Sequence, residues 1–308
     1  MANSFDTVAV DVIAQEALTR LIQKLSFIKS IHKDFSTTSL TKGSDVITHI
    51  ITEMSASDVT LSSSTETDNG YIESTGTDLI QSDVKISLNK HKAVTFTLSD
   101  DERDASSIDL FNRFAEVASY GLAKGIVDTL IGTDTLGTGG ASITNTAIAG
   151  GLTMDTLIDL GATFDAAGVP ETQRWIVAHP NTLAELEKEV TAVTNSSFSV
   201  NSSIIEGGVN RIRGFDLYSY NGGILTNSSS AVGAIAGFSD SLALVTAPPS
   251  SPPNTAGADL GYVSDPETGL TIQRRQWYDA NKAKFAFSLT LYLGTKLTAG
   301  NRMWKVNN

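Results

Sequence analysis

The chain of 308 residues contains no cysteine. That single absence excludes a disulfide framework, a thiolate zinc site and a cysteine nucleophile together. Charged residues are sparse at 18%, yet a hydrophobic content of 41% is that of a folded protein, so global disorder is excluded. No apolar run approaches the roughly 18 residues needed to span a bilayer. The start, MANSFDTVAVDV, has neither a basic n-region nor an unbroken apolar stretch, so no secretory signal is expected and the bacterial cytoplasm is the expected place of synthesis. There is no GxSxG elbow, no GxxxxGK[ST] phosphate loop and no GxGxxG after a strand. The four histidines, His32, His49, His91 and His179, are scattered and form no compact ligand spacing. A structural role is expected for His179, and Asp134, Asp155 and Asp159 show no calcium-loop pattern. No catalytic residue, cofactor or metal site is assigned, and the chain reads as a non-enzyme.

A net charge of −12 argues against a general nucleic-acid binder, because phosphate neutralisation needs clustered Lys and Arg. Its distribution is uneven. From Leu270 to Asn308 seven basic residues stand against one acid, Asp279, so this stretch carries +6 and the other 269 residues carry −18. The densest acidic group is Asp100, Asp101, Glu102 and Asp104. Together with Arg274, Arg275, Lys282 and Lys284 these residues are the candidate inter-subunit contacts, by attraction between unlike faces of neighbours. The alternative is that they are solvated or pair within one subunit, since surface pairs contribute little.

What the chain does have is an extended ribbon with almost nothing to fill a core. SDVITHIITEM leads into SASDVTLSSSTETDNG, where half of the sixteen residues are Ser or Thr, and then into YIESTGTDLIQSDVKISLNKHKAVTFTLSD. The alternation of Val46, Thr48, Ile50 and of Val84, Ile86, Leu88 predicts paired strands. A two-stranded ribbon is at best marginally stable alone. It must lie across the rest of its own domain or be held by another copy of the chain.

Around the ribbon the pattern alternates. Val10 to Ile28 carries apolar residues at helical spacing, with Asp6 or Asp11 as the cap. After Ser99 the acidic turn DDERD opens a second helix whose apolar face runs from Ile108 to Leu130, about 30 residues or roughly 45 Å with its first turns. GTDTLGTGGASITNTAIAGG reads as a loop or hairpin. A helix is expected from Thr153 to about Ala167, stopped by Gly168, then a buried strand RWIVAHP and a helix TLAELEKEV capped by Asn181. A loop follows from Thr194 to Gly208. RIRGFDLYSYN and AVGAIAGFSDSLALVTA supply strands, PPSSPPN (248–254) a stiff connector, and the sequence from Leu270 onward aromatic-rich strands.

This order of elements, with VTFTLSDDERD at 94–104, VPETQRWIVAHPNTLAELEKE at 169–189, GGVNRIRGFDLYSYN at 207–221 and the closing KAKFAFSLTLYLGTKLTAGNRMWKV, resembles the HK97-fold major capsid proteins of tailed bacteriophages. The resemblance covers nearly the whole chain and rests on order and spacing rather than on one diagnostic phrase. It implies an α+β, HK97-like capsid fold: an N-terminal arm (1–43), an extended β-hairpin E-loop (44–98), a peripheral domain with a long spine helix (99–150), an α/β axial domain (151–255) and return strands of the peripheral domain (256–308). It implies a structural protein of the virion that self-assembles as a homo-oligomer, in pentamers and hexamers, into an icosahedral capsid around double-stranded DNA contacted non-specifically. Separate scaffolding, portal and decoration proteins are its implied partners, with no membrane. No fused scaffold precedes the arm and no inserted domain is expected. Some relatives join an E-loop lysine to a neighbour's asparagine; Lys85, Lys90 and Lys92 lie near the base of the loop rather than at its tip around Asp68 to Tyr71, so no such cross-link is expected. An encapsulin-type nanocompartment shell and a tail-tube or surface protein are the alternatives.

Overall fold

The computed structural model describes residues 26–35, 41–51, 81–101, 108–197, 211–250, 258–264 and 270–308. Most of the expected helix from Val10, the middle of the E-loop, Glu102 and Asp104 lie outside the described residues.

The longest strand sets the first sheet. In β13 (Lys284–Leu297) Phe287, Leu289, Leu291 and Leu293 point to one face and Ser288, Thr290 and Tyr292 to the other. On one edge it pairs with β4 (Lys90–Ser99); β12 (Thr271–Asp279) and β10 (Leu242–Ala247) pair with it as well, all antiparallel. β11 (Ala258–Ser264) extends the sheet beyond β12, and β1 (His32–Phe35) adds a parallel strand to β10. The apolar face is covered by α1 (Ile108–Leu130), whose Ala118, Leu122, Ile126 and Leu130 are buried against it. At 1.5 Å per residue α1 is roughly 34 Å long. Its expected first turns from Asp100 pass through residues 102–107, outside the described segments.

The second sheet has the order β5 (Ile148–Ala149), β14 (Met303–Asn307), β9 (Val232–Phe238), β6 (Arg174–Ala178), β8 (Phe215–Ser219), β7 (Arg211–Ile212). Every residue of β6 is buried, as for a strand covered on both faces. One face packs on α3 (Met154–Ala166) and α4 (Pro180–Ser197) through Leu157, Leu160, Phe164 and Leu186. Trp175, Val177 and Ile235 on the other face join the core of α1 and the first sheet. The two sheets therefore share α1 between them.

Helix α3 begins at a Thr153 cap that forms a reciprocal capping box with Thr156, and it gives way to Gly168 at φ 69°, as its sequence predicts. Helix α4 departs from expectation at both ends. Pro180 is its first residue, where a missing N–H costs nothing, and His179 caps it: the His179 carbonyl accepts from Leu183 N–H at 3.0 Å and Nδ1 accepts from Asn181 N–H at 3.2 Å. Asn181 is thus inside the helix, which runs on to Ser197 through the start of the expected loop. The Gly/Thr-rich stretch after α1 is a short helix α2 (Thr133–Leu136), a 3-10 turn and β5.

The sheets do not follow the division expected near residue 255. β10 precedes that boundary yet belongs to the first sheet, and the terminal β14 crosses to the second, where Val306 pairs with Ala234 and Ile148. Local alternation marks a strand but not which sheet receives it. The expected ribbon of 44–98 is likewise two things. Residues Asp45–Ser87 bound a hairpin of β2 (Asp45–Ile51) and β3 (Gln81–Ser87), whereas β4 pairs with β13 over ten residues from Lys90 to Ser99.

Candidate assembly surfaces

The ribbon is rooted in its own subunit. Ile86 and Leu88 are 1% and 0% exposed, packed with Val46 and Val84 on Ala243, Val245 and Ala247 of β10 and on Tyr292. The backbone closes the root: Gly43 N–H donates to Leu88 O and Leu88 N–H to Ser44 O, both at 2.9 Å. Gly294 permits the approach, because a Cβ there would stand 2.7 Å from Ser87 O and 3.2 Å from Ile86 Cγ2. Lys296 Nζ donates to Lys85 O at 3.2 Å. On the outer side Lys85 pairs with Asp45 at 2.7 Å, and Ser87 Oγ donates to the same carboxylate. These hydrogen bonds, Lys85 first, lower the Asp45 pKa. Ile47 is 54% exposed beside them.

The acidic group and the basic stretch meet at one corner. Ser99 is the register partner of Lys284, Asp100 N–H donates to Ala283 O at 3.2 Å, and Tyr278 donates its hydroxyl to Asp100 at 2.6 Å. Asp101, Lys282 and Lys284 are exposed there, with Lys282 3.8 Å from Asp279. Arg275 is half-buried and donates to Gln273 Oε1 at 2.7 Å. Arg274 is not a surface group. It is 2% exposed, on the helix side of β12, and pairs with Asp259 at 2.8 Å. The reason is register: Arg274 lies opposite Leu289, in the core-facing row.

Two further groups escaped the sequence reading. Arg174 is only 2% exposed and fixes the turn before β6: Nε donates to Pro170 O at 2.8 Å, Nη2 to Asp165 at 2.7 Å and to Val169 O, and the guanidinium lies 5.3 Å from the Phe164 ring and 5.8 Å from that of Phe215. Asp128 joins α1 to the loop after β8, accepting from Tyr220 Oη at 2.9 Å and from Gly223 N–H at 3.1 Å. Burial, then the Asp128 carboxylate, raises the Tyr220 pKa far above its ordinary range. Gly223, at φ 64°, lets the loop approach Ile131, whose carbonyl accepts from Ile224 N–H at 3.1 Å. Neither group has a local pattern; a glycine inside LYLGTKL was the one legible sign of close approach.

Outward on α1, Phe114, Val117 and Tyr120 are 40%, 67% and 54% exposed at a spacing of three. A cleft of about 610 Å³ beside β1 is lined by Lys29, Gln173, Arg211, Asp216 and Asp240, but its carboxylates face Arg211 at 3.6 Å and Arg302 at 3.7 Å. Lys90 pairs with Asp134, tying the start of β4 to α2 and lowering the Asp134 pKa. Among the described residues no three His, Asp or Glu side chains are placed to hold a metal ion, and no helix is long and apolar enough to cross a membrane.

A ribbon rooted on a sheet that a spine helix backs, joined to a second α/β layer, is the HK97-like capsid fold. The capsid structure of the cyanophage P-SCSP1u is similar at 13% identity, covering 90% of this chain and 86% of that one, with a TM-score of 0.58. A capsid of the empty GTA particle is similar at 14% identity, 92% and 90% coverage and a TM-score of 0.55, as is Microbacterium phage Oxtober96 at 11% identity, the same coverage and a TM-score of 0.55. No family model and no curated protein matches the sequence.

Proposed function

We propose that this chain is the major capsid protein of a tailed-phage-like particle, assembling with copies of itself into an icosahedral shell around double-stranded DNA. The observation that carries the reading is the fold, shared over about nine-tenths of the chain with capsid structures. The rooted ribbon supports it: its base is held by its own subunit while residues 52–80 are too polar to form a core, which suits a segment stabilised by a neighbour. The role is mechanical rather than catalytic. Exposed Phe114, Val117 and Tyr120 on α1, and the corner of Asp101, Lys282 and Lys284, are the contact groups within and between pentamers and hexamers. Each contact is weak, and the shell is stable because every subunit makes many at once. Glu102 and Asp104 extend the acidic side of that corner in sequence, whereas buried Arg274 serves its own subunit. Scaffolding, portal and decoration proteins complete the particle, and DNA is contacted without sequence preference. Assembly takes place in the host bacterial cytoplasm.

The test is direct. Purified protein is imaged by negative stain and the contents of the particles are extracted. Closed shells containing DNA are expected from the native source. Tubes or filaments sink the reading, and shells filled with protein and no nucleic acid favour a nanocompartment.

A further inference from the structure

The ten-residue strand β4 leaves one edge of the first sheet open. β13 carries β12 and then β10 along one side and β4 along the other, and among the described residues no strand lies beyond β4. The ladder phase fixes which groups face out. Asp100 N–H donates to Ala283 O, one step beyond the Ser99–Lys284 pair, so the even-numbered residues of β4 bond to β13 and the N–H and C=O of His91, Ala93, Thr95 and Thr97 point away from it. The other outer strands are short or interrupted: β1 has four residues, β5 and β7 two each, and β11 carries Asp259 and Gly261. β4 has no bulge in its ladder and no proline, and Ala93 to Leu98 carry no charge. Long edges of this kind are blunted in proteins unless a partner covers them.

Beneath the open edge α1 runs back along β4. The Phe114 ring stacks on Phe96 at 5.7 Å, and Gly121 and Gly125 lie against Val94 and Lys92. At about 3.6 residues per turn Val117 and Tyr120 fall on the adjoining row, on the side away from buried Leu122 and Ile126, and both are exposed. Strand edge and apolar helix row form one surface. The strand is also complementary to itself. Its start carries Lys90 and Lys92, and its end runs into Asp100 and Asp101. An antiparallel second copy centred on Thr95 sets Thr95 opposite its own equivalent, Ala93 opposite Thr97, Val94 opposite Phe96 and Lys90 opposite Asp100, with Lys92 diagonal to the same carboxylate. Odd residues meet odd ones, so the outward N–H and C=O groups find each other and the two sheets continue as one.

Resting on the shell reading above, we infer that β4 pairs with β4 of a second copy about a two-fold axis through Thr95. The two copies of α1 then run antiparallel under the joined sheet, with Phe114, Val117 and Tyr120 of both in the seam. Such a contact is isologous and closes at two copies. Every subunit of an icosahedral shell of pentamers and hexamers stands beside a strict or local two-fold axis, so the pair joins neighbouring pentamers and hexamers rather than subunits within one.

The chain has no native thiol, so a single cysteine reports on the axis. Opposed residues of a hydrogen-bonded antiparallel pair have Cα atoms about 5.5 Å apart, within reach of a disulfide. Mild oxidation of assembled Thr95→Cys particles is expected to give a covalent dimer, and nothing larger, on a denaturing gel. Thr97→Cys, about 14 Å from its equivalent across the axis, and Ile158→Cys, exposed on α3, are expected to stay monomeric. No dimer, equal dimer from all three variants, or a Thr95→Cys product joined to a different protein of the particle overturns the inference. In a second arm, Thr95→Pro removes an N–H that points outward and leaves the ladder to β13 intact, so subunits are expected to unfold at the wild-type denaturant concentration while the yield of closed shells falls about tenfold. A normal yield of shells overturns the inference, and the cysteine arm decides it whether or not the proline variant folds. Wild-type protein that forms no closed shell overturns the shell reading and this inference with it, whereas closed shells without the Thr95→Cys dimer overturn the inference alone.

Discussion

Replacing Leu88 by alanine should loosen the ribbon without unfolding the subunit. Leu88 is 0% exposed in a small cluster with Ile86, Ala243, Val245 and Ala247, separate from the two main cores. Truncating such a leucine costs about 2–4 kcal/mol as lost burial plus cavity. The backbone bonds from Gly43 and to Ser44 survive, because they involve only main-chain atoms. A ribbon held by one small cluster has little else to keep it in place, being marginal alone. The loss therefore falls on local opening rather than on global stability. At about 1.4 kcal/mol per decade, amide exchange in residues 44–51 and 81–88 should accelerate roughly 30- to 1,000-fold, while β6 and α1 exchange as before. Hydrogen-exchange mass spectrometry on unassembled subunits measures this directly. Ile47→Ala, at a 54% exposed site, is the control and should change exchange less than about twofold. Unchanged exchange in the ribbon, or an equal acceleration across both sheets, would refute the idea of a separately anchored root.

Deleting residues 55–75 should leave a soluble, folded subunit that fails to close shells; normal particles by electron microscopy would contradict the ribbon's role. Arg174→Ala strands the Pro170 and Val169 carbonyls and opens a hole beside Phe164 and Phe215, and it should cost about 3 kcal/mol in denaturant unfolding. Asp165 is half exposed and regains water, so the loss stays below that of a fully buried pair; a cost under about 1 kcal/mol would mean the guanidinium is not organising the turn. The lowered Asp45 pKa has a defined sign: its contribution to the ribbon root is present above the ordinary value near 3.8 and is lost as pH falls through the folded value. Exchange of β2 and β3 should therefore rise below about pH 4, and Asp45→Asn should remove that rise.

The elements themselves were legible where a period was strong. The apolar spacing of Leu122, Ile126 and Leu130 marked α1, the Thr153 and Gly168 stops bounded α3, and RWIVAHP read as a buried strand. Where two neighbouring residues could fill one role, the local pattern was ambiguous. His179 and Asn181 both carry a cap-forming acceptor, and Pro180 decides between them, because its fixed φ suits the first helical position. Which of the charged candidates share one corner of the subunit was legible only in part. Lys282, Lys284, Asp100 and Asp101 do meet at one corner, but that corner is built by β4 lying against β13, nearly two hundred residues apart in sequence. Arg274 and Arg275 look alike in the sequence, and a period of two sends them to opposite faces.

By itself the sequence determined that the alternating stretches Val46, Thr48, Ile50 and Val84, Ile86, Leu88 pair within an extended ribbon, placed at 44–98, with too little apolar surface to stand alone, because alternation and composition are local properties. It also determined the charge imbalance between residues 270–308, at +6, and the remaining 269 residues, at −18, which needs no coordinates. Only the tertiary structure decided that β10 and β14 exchange sheets, that Gly294 lets the ribbon settle on β13, and that Arg275 lies with Lys284 and Lys296 on the ribbon side of the first sheet while Arg274 faces the core. Those outcomes depend on register between distant strands, and register is set by which rows of side chains can be buried together.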